Sequence, residues 1–176
     1  MDALLTRLTA AAAPVLGLLL IGSLPLAAQD DCAPVFAALD KVMTTPTHIS
    51  STTTVAGKPQ VTEMLYSGET AFMKEKGKWI LQPISVKQIG TQEQEGRARK
   101  RNTCKALKDD TVEGEAAVVY STLTEGPGER SEGQVTISKK SGLPLRNEID
   151  MERGGKPGKT HYSVRYDYKN VAVPKQ

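Results

Sequence analysis

Three hydrophobic patterns follow one another along the chain: a nearly unbroken apolar run from Leu8 to Leu26, apolar residues at helical spacing after Cys32, and alternating stretches from His48 onward. Each predicts a different element. In the second, Val35, Phe36, Leu39, Val42 and Met43 share one face of a helix over Ala33–Met43, which Pro46 would stop. In the third, β-branched and aromatic runs predict strands over Ile49–Val55, Val61–Tyr66, Thr70–Met73 and Trp79–Leu81. These are separated by the turn signals Gly57-Lys58, Ser67-Gly68 and Lys76-Gly77, so they form hairpins.

Strand formers thin out between Pro83 and Arg101, where Gln92 to Glu95, Arg97 and Arg99 predict a polar helix. Glu93 with Arg97 and Glu95 with Arg99 are acid-first i,i+4 pairs, Gly90 and Gly96 oppose the helix, and the apolar face is only Ile84, Val86 and Ile89. A helix that buries so little is a lid or a solvated connector. Strands resume at Thr103–Leu107, Ala116–Leu123, Gln134–Lys139, Leu145–Met151 and Thr160–Tyr168. In the last two, Leu145, Asn147, Ile149 and Met151 oppose Arg146, Glu148, Asp150 and Glu152, and Tyr162, Val164, Tyr166 and Tyr168 oppose Ser163, Arg165 and Asp167. One face is apolar and the other wet. The expected fold is α+β: a single curved antiparallel β-sheet, an unclosed half-barrel meander, covered on its concave face by two helices.

The apolar run at the start follows Arg7 and ends in Ser23, Pro25, Ala27 and Ala28, the pattern of a secretion signal over residues 1–28 cleaved near Ala28. An uncleaved anchor is the alternative, since about twenty apolar residues span a bilayer. A lipid-attachment reading of Cys32 fails because Asp30 and Asp31 stand where small residues are needed. Residues 29–176 are then expected to form one domain in the periplasm or outside the cell, where disulfides persist. The only two cysteines, Cys32 and Cys104, are expected to pair. A formal net charge of +3 gives weak support for contact with an anionic membrane surface and none for nucleic acid.

Catalytic patterns are sparse. The segment Arg153 to Thr160 resembles a phosphate-binding loop, but Arg153 occupies the place of the first glycine and two strands flank it, so a hairpin tip is expected. There is no Gly-x-Ser-x-Gly elbow, and His48 and His161 stand in no local triad pattern. Cys32, Cys104, His48 and His161 lack metal-ligand spacing, so neither metal nor cofactor is expected. The basic cluster Arg97, Arg99, Lys100, Arg101 and Lys105 is a solvated face or a contact for an anionic headgroup or a partner. The aromatic and methionine residues say more. Met64, Tyr66, Phe72, Trp79, Tyr120, Tyr162 and Tyr166, with Ile149 and Met151, lie on strands, where an inward subset either lines a slot for an acyl chain or closes an ordinary core.

The segments Gly77–Trp79, Thr103–Leu107, Val112–Tyr120, Ile137–Asp150 and Val164–Pro174 together resemble exported bacterial proteins of the LolA/LppX/LolB-like superfamily, in its small uncharacterised branch. The resemblance implies an unclosed half-barrel over residues 29–176 whose concave face is covered by helices. It also implies carriage of lipids or lipoproteins. Aromatic content is only 5%, below what the superfamily's chaperones use to line their cavities, and no single arginine matches the one linked to their opening. The expectation is a non-catalytic periplasmic carrier or binding protein for a lipid, a lipoprotein acyl chain or another hydrophobic ligand, its partner being a lipid or acylated protein. An envelope interaction module with a filled core, docking through an edge strand or the basic cluster, is the first alternative; a hydrolase relying on His48 and His161 is the second.

Overall fold

The computed structural model describes residues 31–55, 58–154, 160–169 and 171–174. The expected secretion signal lies outside the described residues, as does most of the loop resembling a phosphate-binding motif. Helix α1 (Ala33–Val42) opens the described chain, with a proline in its first turn and the Asp31 carboxylate accepting from the Ala33 amide at 2.9 Å. Val35, Ala38 and Val42, spaced by three and four residues, are its buried stripe. Four strands follow: β1 (Thr47–Val55), β2 (Lys58–Ser67), β3 (Thr70–Glu75) and β4 (Lys78–Leu81). Then come α2 (Val86–Ala98), β5 (Arg101–Val112), β6 (Glu115–Gly126), β7 (Glu129–Ser138), β8 (Pro144–Arg153) and β9 (Thr160–Asp167).

The nine strands of the described residues form one antiparallel sheet in the order β4-β3-β2-β1-β9-β8-β7-β6-β5. Two meanders, β1 to β4 and β5 to β8, are joined side by side where β9 pairs with both β1 and β8. The free edges are β4 and β5, and the connection between them is α2, which bridges the gap a closed barrel would fill with hydrogen bonds. Local chemistry sets the tight turns. Lys76 and Gly77 at φ 48° and 80°, and Glu113 and Gly114 at φ 50° and 83°, are the consecutive left-handed pairs that match the twist of two-residue hairpins.

Several elements run past the limits their sequence suggests. Strand β5 extends beyond Leu107 through a register shift between Ala106 and Lys108, carrying the polar Lys108–Thr111 into the ladder. Strand β7 begins at Glu129 rather than Gln134, because the polar Arg130–Gly133 pairs on both sides with β6 and β8. Helix α2 starts three residues after Pro83, at a full capping box: the Gln88 amide donates to Ser85 Oγ and the Ser85 amide to the Gln88 side chain.

Both helices lie over one face of the sheet. Val35 and Ala38 pack with Val135, Ile137 and the Cys32–Cys104 bridge, while Val42 packs with Tyr66, Ala71 and Val86. The disulfide, Cα to Cα 4.9 Å, ties the start of α1 to edge strand β5 across a sequence separation of 72. Loop-closure entropy assigns such a link about 4 kcal/mol, a large share of a small domain's net stability.

Candidate functional site

Cross-strand register sorts the helix-facing side chains into rows. One runs Asn102, Thr124, Ser131, Met151; the next Cys104, Thr122, Gly133, Ile149, Tyr162. A third runs Tyr120, Val135, Asn147, Val164, Ser51, and a fourth Tyr166, Ile49, Met64, Met73. Gly133 is required in the second row, since a Cβ there would stand 2.4 Å from the Glu148 carbonyl oxygen.

Between these rows and the helices lies a groove of about 430 Å³. Val35, Phe36, Leu39, Val42 and Met43 of α1 and Ile89 of α2 form its roof; Ile49, Met64, Tyr66, Ile149, Val164 and Tyr166 form its apolar floor. Towards the β6–β7 turn the lining becomes largely polar and uncharged, with Asn102, Thr122, Thr124 and Ser131 beside Met151, while Asn147 lies among the apolar rows. Glu93, Arg97, Lys100 and Glu129 stand along its margin.

The margin's two cations are engaged. The Arg97 guanidinium donates to the Asp40 carboxylate, joining α2 to α1, and lies 5.0 Å from the Phe36 ring centroid. Lys100 pairs with Glu129 at the start of β7. Arg97 thus reaches across to the other helix rather than back to Glu93, whereas Glu95 and Arg99 do form the expected i,i+4 pair at 3.4 Å. With Arg97, Arg99 and Lys100 paired, the basic cluster of the sequence is largely neutralised. Asn102 fixes the junction of α2 and β5: its amide nitrogen donates to the Arg97 and Lys100 carbonyls at 2.9 and 3.0 Å, and its oxygen accepts from Thr124 Oγ1 at 3.0 Å.

Phenols in the floor have lost water. Burial pushes Tyr166 up to about 12, against an opposing hydrogen bond with Asn147, and burial also raises Tyr66. The negative charge of Glu93 adds to both shifts.

Of the residues expected at a hydrophobic site, the structure brings Met64, Tyr66, Ile149, Met151 and Tyr166 together in this groove. Tyr120 packs beside it against the α1 core, and Tyr162 shares the row of Ile149 without lining the groove. Phe72 and Trp79 stand on the opposite face, because Phe72 pairs with Leu65 and Trp79 with Lys74. There Trp79 meets His48 edge-on at 5.7 Å and the Lys74 ammonium at 5.6 Å, while Glu63 accepts from Lys74 at 2.8 Å and contacts His48 Nε2 at 3.0 Å. The polar wall of Asn102, Thr122, Thr124 and Ser131 went unread in the sequence, although Asn102 and Cys104, and Thr122 and Thr124, share strand parity with residues of the apolar face.

His161 sits on the outer face between two carboxylates, Nδ1 2.8 Å from Asp150 and Nε2 3.2 Å from Glu148. Ser163 Oγ donates to Glu148 at 2.9 Å, so this serine is bonded to a carboxylate and not to the imidazole. Cys32 and Cys104 are both consumed by their bridge.

No family model matches the chain, and no curated protein matches it. Among solved structures it is similar to the crystal structure of LprF from Mycobacterium bovis, at 10% identity over 80% of this chain and 94% of that one, TM-score 0.40. It is also similar to MucB, solved in complex with MucA(peri), at 13% identity over 83% of this chain, TM-score 0.46; the match spans 58% of the MucB chain. The unclosed antiparallel sheet with two helices over one face, traced above from strand order and core packing, is a half-barrel-like α+β fold.

Proposed function

We propose that this chain is a non-catalytic carrier or binding protein for a hydrophobic ligand, a lipid or an acyl chain, and that it works in the periplasm after export. The groove of about 430 Å³ between sheet and helices carries this reading. Its volume lies within the roughly 300–1,000 Å³ of ordinary ligand pockets, and its walls are aliphatic, methionine and tyrosine side chains with a few polar groups at one end. An acyl chain hiding roughly 300 Å² there gains about 7 kcal/mol before the costs of association, so hydrophobic transfer alone supports useful affinity. Site residues proposed on this basis are Met64, Tyr66, Ile149, Met151 and Tyr166.

Organic extraction of the purified protein with mass spectrometry, together with titration by a fluorescent fatty acid, tests the reading. Co-purifying amphiphile, or saturable probe binding weakened by Met64→Lys, is expected. Lipid-free protein with no probe affinity would overturn it. A docking module is the second reading, favoured by edge strand β4, where Ile80 and Leu81 are exposed.

A further inference from the structure

We propose, resting on the carrier reading above, that the groove takes a single-chain amphiphile with an uncharged, hydroxylated headgroup, its tail under α1 and its headgroup against Thr122, Thr124 and Ser131. Three observations select this class from the hydrophobic ligands that a groove of this kind could hold.

The first is capacity. A methylene fills about as much space as a water molecule, about 30 Å³, so 430 Å³ admits on the order of fourteen such groups, tail and headgroup together. That is one acyl chain. Diacyl and triacyl lipids exceed it two- or threefold.

The second is the polarity gradient along the floor. Met64, Tyr66 and Tyr166 mark the apolar end, and the row of Asn102, Thr124 and Ser131 marks the other. The Asn102 amide is occupied by its own hydrogen bonds, but the Thr122 and Ser131 hydroxyls can donate and accept and Thr124 Oγ1 can still accept, which suits a polyol or sugar headgroup.

The third is charge. Arg97 and Lys100, the cations at the margin, already hold Asp40 and Glu129, and the Lys100–Glu129 side chains are about 30% exposed. An anionic headgroup would compete with Asp40 or Glu129 for these cations and weaken a pair that is partly buried. A neutral headgroup avoids that penalty.

Competition against a fluorescent fatty-acid analogue measures the preference on the intact protein. Four probes of equal chain length near ten carbons are compared: a monoacylglycerol, the free fatty acid, a lysophosphatidylglycerol and a diacylglycerol. The monoacylglycerol is expected to bind severalfold more tightly than either anion, the order of effect produced by weakening a partly exposed ion pair. The diacylglycerol is expected to compete weakly or not at all. Ser131→Ala, which removes one hydroxyl partner of the headgroup, should weaken monoacylglycerol binding severalfold and so narrow the gap. Equal or tighter binding of the anions would overturn the headgroup assignment, and equal binding of the diacylglycerol the single-chain assignment, while both results leave the carrier reading standing. Failure of all four probes and of the fluorescent analogue would overturn the carrier reading itself.

Discussion

At the scale of single residues, the outer face of the sheet is tuned by pairs of opposite sign whose pH dependence can be worked out individually. The hydrogen bond that its Nδ1–H donates to Asp150, aided by the charges of Asp150 and Glu148, holds the His161 imidazole above its ordinary range. Its folded-state value is therefore the raised one. The stabilisation is fully present below the unfolded value near 6.5 and is lost as pH climbs through the shifted value. Glu63 has the opposite sign: the Lys74 hydrogen bond lowers it, so its contribution is present at neutral pH and disappears as acid protonates the folded carboxylate. His161 is half exposed, which limits its worth to below about 1 kcal/mol. The urea midpoint of His161→Gln should fall below the parent's at about pH 5.5 and converge on it by about pH 8.5. A difference that stays constant across that range would show that the carboxylates do not hold the ring as described.

At the scale of elements, α2 shows how a helix with little apolar surface is positioned. Val86 is buried and Ile89 half-buried, and the rest of its attachment comes from the Ser85 capping box, the Arg97–Asp40 pair and Asn102 below its C-terminal end. Its two glycines have different reasons for being there. A Cβ at Gly90 would meet Met43 Cγ at 3.2 Å, so this glycine lets the helices approach, whereas a Cβ at Gly96 meets nothing within 4 Å. Alanine at Gly96 should stabilise by up to about 1 kcal/mol through helix propensity, raising Tm by about 2–4 °C. Gly90→Ala should gain less, since Met43 must give way. Calorimetry of the two variants checks this, and a larger gain at Gly90 would contradict the packing. The helix itself was legible in the sequence from its charge pairs and the punctuation around it. The Asp40 partner of Arg97 was not, because a contact between helices separated by four strands leaves no local signature. Strand existence was equally legible from turn spacing, but the polar half of β7 was invisible: its place in the sheet comes from pairing with β6 and β8, not from its own side chains. Register was hidden as well. Alternation within β2 and β3 defines two faces each, yet only the pairing of Leu65 with Phe72 decides that Phe72 turns away from the groove that Met64 lines.

At the scale of the whole molecule, the sheet depends on its last strand. Both meanders consist of sequence neighbours, and the turns between them are short, so each can form locally. Joining them is a different matter: β9 supplies six register pairs to β1 and six to β8, and no other strand lies between the two halves. The groove spans that seam, with Tyr166 and Val164 of β9 between Ile49 and Met64 on one side and Asn147 and Ile149 on the other. Long-range pairing carries its loop-closure entropy before any contact compensates for it, so the final step of sheet assembly should be the slow one. Stopping the chain after Arg153 tests this directly. The truncated protein keeps both meanders, the Cys32–Cys104 bridge and both helices in its sequence, yet should lose the single cooperative unfolding transition and all affinity for hydrophobic probes that the full chain binds. Near-ultraviolet circular dichroism and urea titration would report the loss. A truncated chain that unfolds in one sharp transition at the full-length midpoint would mean that α1, α2 and the disulfide hold the halves together without β9. The groove would then be a property of the helical cover rather than of the continuous sheet.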